Sequence, residues 1–155
     1  MQKGKLILQN DMKILLDANI VIDWALKSRK FHKIAAKIFD LCFDKKVQSC
    51  VAAHTITNVF YIVRNDYNLE ERLELSEVLC RLHEVAPINH TTIQQAIDML
   101  YPMDLEDALQ IQCAIDIGAY YIIARNIKDF KASPVKALLP EEFLEIWNGF
   151  NNDNN

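Results

Sequence analysis

Glycine is nearly missing from this chain, with three residues in 155. A G-x-G-x-x-G turn, in which bare backbone approaches a pyrophosphate, has nothing to be built from, which argues against a dinucleotide-binding role. No apolar run approaches the ~20 residues of a membrane span, and the N-terminus lacks a signal-peptide core, so a cytoplasmic protein with no membrane partner is expected. Cysteine is sparse: Cys42, Cys50, Cys80 and Cys113 lie in apolar segments with no C-x-x-C pair, which reads as reduced, buried thiols. Cys80 and His83 have ligand-like spacing, but a zinc site needs two more ligands that no spacing supplies. An excess of positive charge is lacking too. A formal net charge of -4 speaks against nucleic-acid binding by bulk electrostatics and leaves that role to local basic patches.

What is present is the composition of an ordinary globule, 51% hydrophobic and 25% charged, in a chain long enough for one well-buried core. A single domain is expected over residues 12–150. Residues 1–11 form a polar N-terminal extension ahead of Met12, and residues 151–155, Asn-Asn-Asp-Asn-Asn, a disordered tail. Three short apolar runs read as strands buried on both faces: Ile14 to Leu16, Val47 to Ala53 and Tyr120 to Ala124. Val85 to Ile88 and Val135 to Leu138 read as two briefer strands. Between them run amphipathic helical patterns, including Thr55 to Val63, with Ile56, Val59, Phe60 and Val63 inward, and Leu69 to Leu82. A helix through Ile93, Ala96, Ile97 and Leu100 is closed by Pro102. The next is capped by Asp104 and stopped at Gly118, and the last opens at Pro140. Alternating strands and helices imply right-handed crossovers and a parallel sheet covered on both faces.

In such a sheet, ligands gather at the carboxyl ends of the strands. Three clusters of acids and amides arrive there: Asp17 with Asn19 after the first strand, Asp104 with Asp107 at a helix start, and Asn126 with Asp129 after the third clear strand. Asn58 is a fourth candidate, on the helix that follows the second strand. Each has a plain structural reading, since Asp104 caps a helix and Asp17, Asn126 or Asp129 alone can shape a turn. Together they supply the oxygen ligands that Mg²⁺ or Mn²⁺ takes. Basic residues flank the same edge: Lys27, Arg29, Lys30 and Lys33 after the first helix, and Arg125, Lys128 and Lys131 around the last cluster. Arg125 and Lys128 are the RNA contacts expected from this set, and His54, one helical turn before Asn58, can face the same cleft.

Four segments in order, Leu-Leu-Asp-Ala-Asn-Ile-Val-Ile-Asp, Thr-Ile-Thr-Asn-Val-Phe-Tyr-Ile-Val, Asp-Leu-Glu-Asp-Ala-Leu-Gln and Gly-Ala-Tyr-Tyr-Ile-Ile-Ala-Arg-Asn-Ile-Lys-Asp-Phe, resemble a PIN domain of the VapC-like toxin and ribonuclease type. The resemblance runs from about Met12 to Phe143. It implies a three-layer α/β/α Rossmann-like sandwich with a mostly parallel central sheet. It also implies an acid cluster binding Mg²⁺ or Mn²⁺, cleavage of single-stranded RNA, and a small antitoxin partner. Asp17 matches the family's first acid and Asp107 its third. The usual second acid falls at Asn58 and the usual fourth at Asn126, and Ala124 stands where threonine or serine is common. An amide oxygen coordinates a hard cation but adds no charge. Asp17, Asp107 and Asp104 are therefore expected to be the catalytic metal ligands, with Asn19, Asn58, Asn126 and Asp129 supporting them.

Two other readings compete. One is a PIN-fold RNA- or protein-binding module with weakened catalysis, favoured by the amides at 58 and 126. The other is a haloacid-dehalogenase-like phosphatase with Asp17 as nucleophile, for which Asn19 lacks the proton an acid would donate. A homodimer is expected through apolar residues exposed on the helices Thr55 to Val63 and Leu69 to Leu82.

Overall fold

The computed structural model describes residues 11–99 and 104–153. The expected helix end at Leu100 to Pro102, nearly all of the N-terminal extension, and the last two residues lie outside the described residues. Five strands, β1 (Lys13–Leu16), β2 (Gln48–Ala52), β3 (Glu84–Ala86), β4 (Tyr121–Ile123) and β5 (Lys136–Leu138), form one sheet in the order β3-β2-β1-β4-β5. Every pairing is parallel, which sharpens the expectation of a mostly parallel sheet. β1 is central, and the alternation of its side chains builds the layers. Ile14 and Leu16 face one core, with Ile20, Ile38, Phe39, Val59, Leu79 and Phe143, while Leu15 faces the other, with Cys50, Ile111, Ala114 and Ile122.

Among the described residues seven α-helices cover the two faces: α1 (Ala18–Ala25), α2 (His32–Phe43), α3 (Ala53–Ile62), α4 (Leu69–Leu82), α5 (His90–Asp98), α6 (Leu105–Ile117) and α7 (Pro140–Asp153). Local chemistry fixes their ends. Asn68 and Asn89 make capping boxes for α4 and α5, and α6 runs from the Asp104 cap to Gly118, whose φ of 72° suits a residue without a Cβ. Among the described residues no helix is long and apolar enough to cross a membrane.

The structure differs from the sequence reading in three places. Ile93 and Ile97 of α5 are 40% and 47% exposed, and the buried face is instead the small pair Thr92 and Ala96, which lets α5 lie close against α6. Cys80 is exposed on α4, so it does not share a site with His83, whose buried ring bonds Ser49 Oγ through Nδ1 at 2.7 Å. The tail expected to be disordered from Asn151 instead continues α7 through Asp153.

The chain order decides where a site can form. From β1 the chain builds β2 and β3 on one side, then crosses β1 to lay down β4 and β5 on the other. The crossovers therefore leave β1 and β4 in opposite directions, opening a crevice beyond their carboxyl ends.

Candidate active site at the carboxyl edge of the sheet

Asp17 stands at the mouth of this crevice. Its N–H donates to Ile123 O at 3.0 Å, extending the pairing of β1 with β4 by one residue, and its extended backbone makes it the cap of α1. The carboxylate accepts from the Asn19 N–H at 3.4 Å and is only 9% exposed. Burial pushes its pKa up to about 6; the amides of Asn19 and Ala18 and the charge of Arg125 oppose that rise, and Glu106 adds to it.

Across the crevice, Asp104 caps α6 by accepting from the Asp107 N–H at 2.8 Å. Burial, and then the carboxylates of Asp104, Asp129 and Asp17, push Asp107 up to about 7. Asn126, after β4, donates through Nδ2 to Asp129 Oδ2 at 2.6 Å. Asn58, reaching in from α3, donates to Glu106 Oε1 at 3.0 Å.

These groups line one pocket of about 320 Å³ that contains Asp17, Asn19, Asn58, Asp104, Glu106, Asp107, Asn126 and Asp129. The structure thus brings together every acid and amide that the sequence singled out. It adds one, Glu106, which the sequence reading did not single out. A carboxylate of α6 bonded to Asn58 places charge beside the neutral amide, and the pairing of residues 48 apart in sequence is what hid it.

Arg125 and Lys128 do not line this pocket. Lys128 is exposed on the 3-10 turn Ile127–Phe130. Arg125 turns aside to Asp23, with Nε 2.7 Å from Oδ2 in an ion pair whose N–H is not aimed at the oxygen, and its guanidinium lies 4.8 Å from the Phe31 ring centre. Arg29 Nε holds the other Asp23 oxygen at 3.1 Å. Asp23, 1% exposed, went unnoticed in the sequence because both its partners lie outside α1. His54 is absent from the wall as well; its ring nitrogens are buried without a partner, and burial lowers its pKa.

Five carboxylates, Asp17, Asp104, Glu106, Asp107 and Asp129, share the pocket, and among the described residues no Lys or Arg lines its wall. Among the described residues no three His, Cys, Asp or Glu side chains already converge as a finished cation cage. What fits a divalent cation is the donor chemistry, hard oxygens throughout, and the mutual repulsion that lifts Asp107, which a cation relieves.

Comparisons with known proteins agree with the fold. The PIN domain profile matches residues 13–128, and the chain belongs to the PIN domain family. Ribonuclease VapC1 of Aquifex aeolicus (strain VF5) is 27% identical over 143 residues, spanning 90% of this chain and 98% of its own. Among solved structures, Mycobacterium tuberculosis VapC20, described as a sarcin-ricin loop cleaving toxin, superposes with a TM-score of 0.64 at 14% identity, covering 79% of this chain and 95% of its own. VapBC-1 of nontypeable Haemophilus influenzae gives 0.63 at 18% identity, covering 84% of this chain and 99% of its own. At those identities the two structures speak for the fold, which is the three-layer parallel sandwich found here.

Proposed function

We propose that this protein is a Mg²⁺- or Mn²⁺-dependent ribonuclease acting on single-stranded RNA, the toxin half of a toxin–antitoxin pair. The observation that carries the reading is the gathering of five carboxylates in one pocket at the switch point of a PIN domain. Membership of that family also sets aside the phosphatase alternative.

Asp17 and Asp107 would hold the cation, since these two combine the deepest burial among the pocket carboxylates with upward pressure on their pKa values, and Asp104 would join them from the cap of α6. When bound, such a cation supplies Lewis-acid stabilisation of the charge that builds on a phosphodiester. Glu106 makes up charge that the neutral Asn58 does not bring, held in place by the Asn58 amide. Asn126 and Asp129, locked together at 2.6 Å, orient water on the β4 side of the pocket. Asp104 Oδ1 fixes the first turn of α6 and so the direction in which Asp107 enters.

The partner surface lies elsewhere. Tyr61, Leu69 and Leu73 on α3 and α4 are 62%, 58% and 56% exposed, an apolar face suited to the small antitoxin and to a second copy of the chain. The relatives' names, a ribonuclease and VapBC assemblies, support both parts of the reading.

Incubation of the purified protein with single-stranded RNA, with and without Mn²⁺ and alongside Asp107→Asn, is the test. Cutting that needs the metal and disappears in the variant supports the ribonuclease. RNA binding with no cutting at any Mn²⁺ concentration supports the weakened binding module instead.

A further inference from the structure

Beside the acid pocket lies a second hollow of opposite character. Phe31, Ile34, Leu139 and Pro140 form apolar walls around about 310 Å³, with Arg125 and Glu141 as the polar lining. It shares Phe31 and Arg125 with a neighbouring depression of about 270 Å³ whose remaining wall is Asp23, Arg29 and Lys30. Both cations beside Phe31 sit over its ring, Arg125 at 4.8 Å and Lys30 at 5.4 Å from the centre. Arg125 and Arg29 are not loose surface charges, because buried Asp23 accepts from Arg29 Nε and ion-pairs with Arg125 on its Nε side. A guanidinium so held has its four other N–H donors left over.

We propose that this hollow is a nucleotide subsite for single-stranded RNA, in which an unpaired base displaces the exposed Lys30 ammonium from the Phe31 ring and stacks there, its phosphate meeting Arg29, Lys30 and Arg125. The inference rests on the ribonuclease reading and deepens it. An apolar slot with an aromatic wall and a cationic rim is the chemistry that takes a splayed base with its backbone. Position supports it: Arg125 directly precedes Asn126 of the acid pocket, and its charge acts on Asp17, so a nucleotide seated here flanks the phosphodiester presented to the carboxylates. The acid pocket repels RNA on its own, and this rim supplies attraction that offsets that repulsion in a chain of net charge -4. Glu141, the one carboxylate in the apolar hollow, repels phosphate but accepts from an exocyclic amine. The subsite therefore prefers an amino-bearing base, adenine, cytosine or guanine, over uracil.

Steady-state cleavage of short random-sequence single-stranded RNA in Mn²⁺ by the wild-type protein, Phe31→Leu and Phe31→Trp decides the matter. Loss of the stacking ring raises KM about tenfold with kcat nearly unchanged, and the larger ring of Phe31→Trp restores KM. An equal KM in all three proteins overturns the subsite while leaving the ribonuclease standing, and is the result expected if a protein segment occupies the hollow. A wild-type protein that cuts no RNA removes both. Sequencing the cut ends gives a second reading at an exposed position where folding is not at stake. The wild type shows uracil depleted at one nucleotide beside the cut, and Glu141→Gln erases that depletion. Identical end profiles in the two proteins contradict the base preference, and, should Phe31→Leu fail to fold, the subsite as well.

Discussion

Two aspartates six positions apart on one short helix meet opposite fates. Asp17, at the start of α1, is 9% exposed and faces a pocket of further carboxylates, with backbone amides as its nearest support. Asp23, in the second turn, is 1% exposed and gripped by Arg29 and Arg125. The same side chain at nearly the same depth is a liability in one place and a rivet in the other. On the proposed reading, the uncompensated charge kept in the cleft is the group held for chemistry, and the compensated charge is scaffold.

Exchanging each carboxylate for its amide separates the two roles. Asp17→Asn lowers RNA cleavage by on the order of 10² to 10³-fold, the scale of losing one preorganised electrostatic group, and leaves thermal stability equal or higher, because it relieves repulsion in the pocket. Cleavage assays with a melting curve on the same sample check both halves. Next in size is Glu106→Gln, which lowers cleavage by roughly ten- to a hundredfold if Glu106 stands in for an acid absent from α3, as loss of a supporting group does. Activity equal to wild type would return Glu106 to the role of a helix-start residue.

Asp23→Asn should act in the reverse sense. It costs about 3 kcal/mol of stability by urea titration, the low end for breaking a buried pair, since Arg29 and Arg125 are partly exposed and can turn to water. Below its melting temperature the variant retains kcat within several-fold, and any loss falls in KM through the released Arg29 and Arg125. If instead Asp23→Asn loses cleavage at full stability, the contrast between the two aspartates collapses.

His83 gives a smaller effect, in pH. Burial lowers its pKa from 6.5 to about 4, so between those values the unfolded chain binds a proton that the folded one does not. Stability is therefore lost as pH falls from 6.5 towards 4. Asp17 and Asp107 pull the other way, because their raised pKa values let the metal-free fold gain stability as pH falls below 7. The difference between wild type and His83→Gln isolates the histidine, and it should change by about 2 kcal/mol between about pH 6.5 and 5. A difference flat in pH would show that the ring protonates in place.

Much of this was readable before the structure. Apolar runs that end in Asp or Asn marked the strand ends, and Asp104 and Gly118 bounded α6, because these signals are local. Glu106 and Asp23 were not legible, since each takes its meaning from side chains far along the chain: Asn58 for one, Arg29 and Arg125 for the other. Arg125 illustrates the same limit. Its place beside Asn126 suggested a free cation at the site, and only the packing of α1 against the β4 loop shows it anchored to Asp23. The outward turn of Ile93 and Ile97 was hidden too, because hydrophobic spacing does not reveal which of two faces a small pair such as Thr92 and Ala96 will claim.

Calorimetric titration of Mn²⁺ into the wild-type protein and Asp107→Asn addresses the acid pocket most directly. A cation that relieves the carboxylates must displace their protons, so binding in the wild type should tighten as pH rises from 6 through 7, the range in which Asp17 and Asp107 ionise, and release protons as it does. Asp107→Asn should bind at least tenfold more weakly, with a flatter pH dependence. Equal affinity in the two proteins, or no Mn²⁺ binding to the wild type at any of these pH values, contradicts a cation site in this pocket.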